Sequence, residues 1–149
     1  NDLKVLDVMI ASDVVQHDYD VVSLGYKLGQ VDKFDNPYFK TDEKMNKALK
    51  NAADKNNIPI KFACFASGDR FVDKPEDKEW IIKHFNAQVC DMESGAVSQI
   101  CTLNNVRFAN IRTISDSSSG KETSMEFNKF LKIASTLANK FGRENGLTI

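Results

Sequence analysis

Two carboxylates and an arginine lie near predicted strand ends, with types and spacing suited to acid–base chemistry. Glu93 falls at the start of a helical pattern and shares a face with the apolar Val97 and Ile100. Burying a carboxylate is costly unless it is bonded or neutralised, so Glu93 is a candidate functional residue. Asp116 directly follows an apolar strand, in which Arg112 is predicted to point to the same face.

Each of these residues also has a simpler structural interpretation. An acidic residue at the start of a helix is stabilised by the helix dipole, which is sufficient to explain Glu93. Asp116 is equally typical of an Asx turn or a helix cap, and Arg112 of a salt-bridge partner. Phe71 follows a Gly-Asp turn, where an aromatic ring either stacks on a flat ligand or joins the core. Taken one at a time, these residues leave the alternatives open.

The elements that would position these residues alternate between strand and helix from residue 58 onward, which favours an α/β fold with largely parallel strands. Predicted strands cover residues 5–15, 58–66, 88–91 and 106–114. Predicted helices cover residues 42–56, 76–85 and 92–103, with a last one from residue 123, and residues 17–39 are typical of a loop. We expect a single domain over residues 1–149. Ligands of open α/β sheets bind beyond the carboxyl ends of strands.

The composition excludes several classes of partner. The 149 residues carry 20 basic and 21 acidic side chains with a net charge of -1, which gives no reason to expect nucleic acid or a membrane. No signal-peptide pattern opens the chain. The three cysteines, which are Cys64, Cys90 and Cys101, lack C-x-x-C spacing and predict reduced, buried thiols in a cytoplasmic protein. With only two histidines, we expect no metal site and no cofactor.

Four segments together resemble the 5'-methylthioadenosine/S-adenosylhomocysteine nucleosidases of the purine-nucleoside phosphorylase superfamily. They are H-D-Y-D-V…G-Y-K-L-G-Q at 17–30, S-G-D-R-F-V at 67–72, M-E-S-G-A at 92–96 and R-T-I-S-D at 112–116. The last two patterns are shared with the wider superfamily, and the first is typical of the nucleosidase branch. The resemblance implies a nucleoside phosphorylase-like fold, with a central mixed, largely parallel β-sheet flanked by helices.

The resemblance also implies a reaction, the hydrolysis of the N-glycosidic bond of methylthioadenosine or adenosylhomocysteine in methionine salvage. The products would be adenine and a 5-thioribose compound. Asp116 matches the general acid that protonates adenine N7, and we expect burial to raise its pKa. Glu93 matches the carboxylate that binds the ribose hydroxyls and stabilises an oxocarbenium-like transition state. Arg112 matches an arginine that organises the water end of the site.

The same resemblance implies a set of substrate-binding residues. Phe71 would stack on adenine, and the Val72 backbone would bind its hydrogen-bonding edge. Met92 would lie against the sugar, and Phe127 would close the pocket. Ser115 sits beside the acid and would support it.

A homodimer with shared active sites is implied as well, because the segment matching Val21, Leu24 and Tyr26 reaches the neighbouring subunit's 5'-alkylthio pocket in this family. Leu24 stands where an aromatic residue is frequent, and Asp32 stands where proline is common. Both positions belong to the wall of the 5' pocket. The preferred 5' substituent therefore stays open, and futalosine-type substrates remain an alternative.

The chain matches the C-terminal portion of such a nucleosidase, and we expect the family's opening strands and water-activating glutamate to precede Asn1. A phosphorylase, which uses phosphate in place of water, is the main alternative function. A degenerate relative that only binds nucleosides or dimerises is the other. Retention of both Glu93 and Asp116 argues against the degenerate relative.

Overall fold

The structure is a computed structural model that describes residues 3–115 and Ser135. Asp116, Phe127 and the helix predicted from residue 123 lie outside the described residues. The described chain divides into two compact units. The first contains residues 3–10, 43–61 and 111–115, and the second contains residues 11–42 and 62–110.

Within the described residues, five strands form a mixed sheet flanked by helices, as the family resemblance implies. The strands are β1 (Val8–Gln16), β2 (Tyr38–Lys40), β3 (Ile60–Ser67), β4 (Val89–Asp91) and β5 (Ile111–Thr113). The helices are α1 (Glu43–Lys55), α2 (Pro75–Phe85) and α3 (Ser94–Leu103), with one 3₁₀ turn at Val22–Leu24. The strand order is β2-β1-β3-β4, with β5 also paired to β1. Strands β3 and β4 are parallel, whereas β2 and β5 each run antiparallel to β1.

The first unit is built on α1 and the start of β1. Ala52 and Ala53 of α1 are buried against isoleucines from the following loop, β3 and β5. Small alanines let the helix approach these isoleucines closely. The ammonium of Lys61 lies 2.9 Å from the carboxylate of Asp7, but an ion pair this exposed contributes only about 0–1 kcal/mol. Apolar packing therefore holds this unit together.

The second unit has its core between α2 and the strands. Six side chains form the cluster, namely Val15, Ala66, Val72, Ile81, Phe85 and Ala87. Helix α2 begins with Pro75, whose missing N–H costs nothing at a first helical position. The helix ends at Asn86, which adopts a left-handed conformation. The sequence predicts Trp80, Ile81 and Phe85 on one side of α2; the structure buries Ile81 and Phe85 but leaves Trp80 38% exposed.

Two strand predictions were wrong in detail. Strand β2 lies in a stretch predicted to be a loop, because a three-residue strand has too little alternation to recognise. Strand β5 covers only Ile111–Thr113, although the sequence predicts a strand over residues 106–114. The carbonyls of Phe108 and Asn110 accept single hydrogen bonds from Asp42 and Ala11, two separate parts of the chain. Residues 106–110 therefore do not pair with a neighbouring strand in a regular ladder of hydrogen bonds.

The expectation of buried cysteines was also wrong. None of the three cysteines, all of which lie within the described residues, forms a disulfide, but Cys90 is exposed and Cys64 and Cys101 are only partly buried. Cys90 alternates with the buried Val89 on β4, so the pleat turns its side chain to the uncovered face. Desolvation raises the pKa of the Cys64 thiol, and a hydrogen bond with Asp13 raises it further. Cys64 is therefore a poor nucleophile.

Two adjacent isoleucines of α2 test which face of the helix is buried. Ile81 is 1% exposed in the core and Ile82 is 44% exposed. We expect Ile81→Ala to lower the free energy of unfolding by about 2–5 kcal/mol, because it leaves a cavity. The matched variant Ile82→Ala is expected to cost less than about 1 kcal/mol. Urea unfolding checks both values, and equal losses would mean that the helix face is assigned wrongly.

Candidate active site

The carboxyl ends of β1, β3 and β4 lie side by side in the second unit. The backbone N–H of His17, the residue after β1, donates to the carbonyl of Ser67 at 2.9 Å. The N–H of Gly68, the residue after β3, donates to the carbonyl of Asp91 at 3.1 Å. In open α/β sheets ligands bind at this kind of edge. Two of the three strand ends singled out in the sequence, residues 67–72 and 91–93, are therefore neighbours.

The segment after β3 presents Phe71 to solvent and anchors itself through Val72. Val72 is buried in the core cluster, whereas Phe71 is 68% exposed. The guanidinium of Arg70 lies 3.0 Å from the carboxylate of Asp77 in the first turn of α2. Phe71 is thus not a core residue, and its ring is accessible for stacking on a flat ligand.

The segment after β4 is held by Asp91, a residue to which the sequence analysis gave no role. One carboxylate oxygen of Asp91 accepts hydrogen bonds from the Ser94 backbone N–H at 3.1 Å and the Ser94 hydroxyl at 2.6 Å. Its other oxygen accepts a bond from the Asn110 amide at 3.4 Å. An acidic group near free N–H groups stabilises the start of a helix, so Asp91 fixes where α3 begins. The Asp-x-x-Ser spacing could have indicated this role.

Glu93 immediately precedes α3, but it is exposed rather than directed into apolar surroundings as predicted. The reason is that α3 packs through its small residues, Ser94, Gly95 and Ser98, which are its buried positions. A Cβ added at Gly95 would lie 3.0 Å from the Cβ of Ser67, so the helix touches the end of β3 closely. The small side chains of Ser94 and Gly95 therefore allow the backbone of α3 to approach the end of β3.

The apolar stripe of α3 consequently lies on its exposed side. Val97 and Ile100, which the sequence places on one face, are exposed together with Leu103, and so is Met92 just before the helix. Ile100, for example, is 61% exposed. Met92 and Glu93 therefore stand at the end of β4, next to an uncovered apolar surface.

The three residues assigned to the 5' pocket lie on the loop between β1 and β2. Leu24 ends the short 3₁₀ turn and is exposed, whereas Val21 and Tyr26 are half-buried. The hydroxyl of Tyr26 donates to the carboxylate of Asp32 at 3.2 Å. This hydrogen bond raises the pKa of Tyr26, so the phenol is neutral. Asp32, the departure from the family pattern, thereby fixes the Tyr26 ring.

Arg112 and Ser115 belong to the first unit. Arg112 is the middle residue of β5, pairs with Met9 of β1 and is half-buried. Ser115 follows Ile114, whose backbone exchanges hydrogen bonds with Leu6 and Asp7. Arg112 and Ser115 are thus held on regular backbone directly before Asp116, which lies outside the described residues.

His17 is the second residue whose place the sequence analysis missed. Its side chain is 2% exposed, and its Nε2 is buried with no hydrogen-bond partner among the described residues. Burial lowers the pKa of His17, partly opposed by the nearby carboxylate of Asp18. The ring lies against Gly68, far away in the sequence. No local pattern could have indicated this contact.

Comparison with known proteins places these features in a family. The model of the family described as "Phosphorylase superfamily" matches residues 1–144. An aminodeoxyfutalosine nucleosidase of Helicobacter pylori is 33% identical over 94% of this chain and 60% of its own length. A 5'-methylthioadenosine/S-adenosylhomocysteine nucleosidase of a Geobacillus species is 38% identical over 89% of this chain and 57% of its own. The chain thus spans about three-fifths of these relatives.

A solved structure agrees with these sequence relatives. The crystal structure of the Campylobacter jejuni 5'-methylthioadenosine/S-adenosylhomocysteine nucleosidase matches with a TM-score of 0.87 at 29% identity. The match covers 94% of this chain and 60% of that one. The resemblance to these nucleosidases that the four motifs indicate is therefore confirmed. Because the family model matches nearly the whole sequence, the chain belongs to the phosphorylase superfamily.

Proposed function

We propose that the protein carrying this chain is an N-glycosidase that hydrolyses 5'-methylthioadenosine or S-adenosylhomocysteine and releases adenine. The proposal depends on one observation: the relatives are nucleosidases, and two motifs of the nucleosidase resemblance lie together at one edge of the sheet. The relatives described above are named nucleosidases. The two motifs to which the family resemblance assigns nucleoside binding, at 67–72 and 92–96, lie at adjoining strand ends.

The leaving group in this reaction is the purine, and its departure needs a proton. Water adds its oxygen to C1' of the ribose and gives up one proton as the C1'–N9 bond breaks. The bonding electrons go to adenine, which gains one proton. Asp116 is the proposed acid at N7, which prevents negative charge from building up on the base. Ser115 would support that acid, and Arg112 would organise the water. The half-buried positions of Ser115 and Arg112 on ordered backbone suit such roles.

The ribose becomes positively charged as the bond breaks, so a carboxylate close to it stabilises the transition state. Glu93 is proposed for this role, with Met92 against the sugar. The side chain of Glu93 is exposed, so its carboxylate is accessible to ribose hydroxyls. Phe71 is proposed to stack on adenine, beside the Val72 backbone, and Phe127 to close the pocket. The accessible ring of Phe71 and the anchored side chain of Val72 support this division.

The substituent at the 5' position is the least constrained part of the substrate. The relatives include both methylthioadenosine/adenosylhomocysteine and aminodeoxyfutalosine nucleosidases. The proposed wall of this pocket contains Val21, Leu24 and Tyr26, and the hydrogen bond from Tyr26 to Asp32 adds a carboxylate to it. Aminodeoxyfutalosine is therefore included among the substrates to test.

A homodimer is the proposed assembly, with the exposed side of α3 as part of the contact between subunits. The ten residues of α3 include no charged side chain, unlike those of α1 and α2. Val97, Ile100 and Leu103 nevertheless face outward. Contiguous exposed apolar side chains on a soluble protein commonly mark an interaction surface. A second copy would cover this surface and bring the loop containing Leu24 to its partner.

A cytoplasmic location and a place in methionine salvage complete the proposal. None of the three cysteines, all within the described residues, is in a disulfide, which suits a reducing compartment. In the described part of the chain, no helix has the length and apolar character required to cross a membrane. Within that same part, no group of three or more potential ligand side chains could hold a metal ion.

Adenine release is the direct test of the reaction. The natural full-length protein is expected to release adenine from methylthioadenosine equally well with and without phosphate. Asp116→Asn should lower kcat by about 10²–10⁴-fold because it removes the acid. Glu93→Gln should lower kcat/KM by about 10²–10³-fold because it removes the charge facing the ribose. Chromatographic measurement of adenine against time gives all three values.

Glu79→Gln, an exposed acid of α2, is the matched control and should leave the rate unchanged. Turnover that requires phosphate and yields a ribose 1-phosphate would replace hydrolysis by phosphorolysis. Unchanged kinetics in the Asp116 and Glu93 variants would refute their assignments. Binding of nucleosides without any turnover would favour the degenerate relative.

The proposed dimer is tested by placing a charge on α3. Ile100→Asp should convert a dimer to a monomer, since an aspartate in an apolar interface is buried without a partner. Light scattering after gel filtration measures the mass. Ile82→Asp, on the exposed side of α2, is the control and should remain dimeric. A monomeric wild-type protein would contradict the proposal, and would mean that another part of the natural chain covers α3.

A further inference from the structure

Two consecutive residues after β1, His17 and Asp18, contact the turn that follows β3. The His17 backbone donates to Ser67, and a carboxylate oxygen of Asp18 accepts the Asp69 backbone N–H at 2.7 Å. Asp18 and Asp69 are 51 positions apart in the sequence. A charge-assisted bond of this length is among the stronger hydrogen bonds in proteins. The turn is therefore held from outside its own strand.

The His17 ring leaves Gly68 no room for a side chain. A Cβ added at Gly68 would lie 2.5 Å from His17 Nε2 and 2.9 Å from Asp18 Cγ. Both distances are shorter than real carbon contacts, so the backbone of the turn rests directly on both side chains. We name this group, His17, Asp18 and Gly68, the turn clamp.

The clamp is extended to α3 through glutamine side chains. The second carboxylate oxygen of Asp18 accepts a bond from the Gln16 amide at 3.2 Å. The Gln16 carbonyl in turn accepts one from Gln99 of α3. Asp18 thus connects the turn before Phe71 with the helix that follows Glu93.

We propose that His17 and Asp18 are positioning residues for the purine: they hold the turn so that Phe71 and Val72 meet the base. This inference rests on the proposed function. Neither residue needs to touch substrate, because each acts through Gly68 and Asp69. Val72 is fixed by the core on one side, and the clamp fixes the turn on the other. A displacement of this segment would weaken contacts to the base that act on substrate and transition state alike, so it is expected to raise KM.

Steady-state kinetics of the full-length protein tests the clamp through a double-mutant cycle. His17→Ala and Gly68→Ala should each raise KM about tenfold and change kcat less than about threefold, because base contacts act on substrate and transition state alike. The double variant should recover part of the loss, since removing the ring removes the shorter contact of the new methyl group, at 2.5 Å, and leaves the one at 2.9 Å from Asp18 Cγ. His84→Ala, the other histidine, is exposed and should leave KM unchanged.

Several outcomes would overturn the clamp. If the increases in KM of the two single variants multiply in the double variant, the ring and Gly68 act independently. If His17→Ala has the same KM as the control His84→Ala, the His17 ring does not position the turn. If Gly68→Ala is recovered unfolded, Asp18→Ala takes its place and should also raise KM with little change in kcat. Unchanged KM in that variant would equally refute the inference.

Failure of the proposed function is separable from failure of the clamp. If the wild-type protein releases no adenine, the reaction is wrong and the same four variants are compared by their urea unfolding midpoints. If the double variant is more stable than the two single losses added together would predict, the contact between His17 and Gly68 is supported. Additive losses in stability would then reject the clamp itself.

The clamp also predicts a pH dependence of stability. Burial lowers the pKa of His17 from 6.5, with Asp18, Arg70 and Asp77 as the charged groups around it. The unfolded chain therefore binds a proton more readily than the folded one. The stability is fully present above about pH 6.5 and is lost as the pH falls through the lowered pKa of the folded state.

Unfolding in urea at about pH 7.5 and about pH 5 measures this loss. His17→Gln should lose less stability between these pH values than the wild-type protein, because it has no imidazole to protonate. His84→Gln should behave as the wild type. An equal loss in all three proteins would show that His17 is not held neutral by the fold.

Discussion

Two backbone hydrogen bonds align the strand ends on which the candidate site depends. One joins His17 to Ser67 and the other joins Gly68 to Asp91. They bring the residues that follow β1, β3 and β4 to one edge of the sheet. Every other feature of the second unit's site uses this alignment: the exposed ring of Phe71, the start of α3 at Asp91 and the clamp on Gly68. Because backbone groups make these bonds, the alignment does not depend on which side chains the site carries.

Much of the fold could be predicted from the sequence, because the spacing of apolar residues in some segments is compatible with only one type of secondary structure. The sequence places Trp80, Ile81 and Phe85 on one side of α2, and Ile81 and Phe85 are core positions, whereas Trp80 is 38% exposed. Strand β2 could not be identified in the same way, since its three residues pair with β1 across about 25 positions of chain. The overextended prediction of β5 has a related cause. Apolar alternation from Val106 onward indicates a strand, but hydrogen bonding decides how much of it forms a ladder.

The residues of the candidate site could be predicted where they belong to short sequence motifs. They could not be predicted where their place depends on contacts between residues far apart in the sequence. Phe71 and Glu93 belong to short motifs, and a family resemblance gives such positions a role. His17 lies in a motif too, but its meaning depends on a glycine about 50 residues away. Helix α3 illustrates a different limit. Its periodicity gives the apolar stripe correctly, yet periodicity does not state whether the stripe faces the chain's own core or another surface.

The charge-free composition of α3 has a thermodynamic consequence for any contact made through it. Association of apolar surface is accompanied by a negative change in heat capacity and weakens on cooling. With no ionisable side chain between Ser94 and Leu103, such a contact would respond little to ionic strength. Temperature, rather than salt, would therefore govern how much of the protein is assembled.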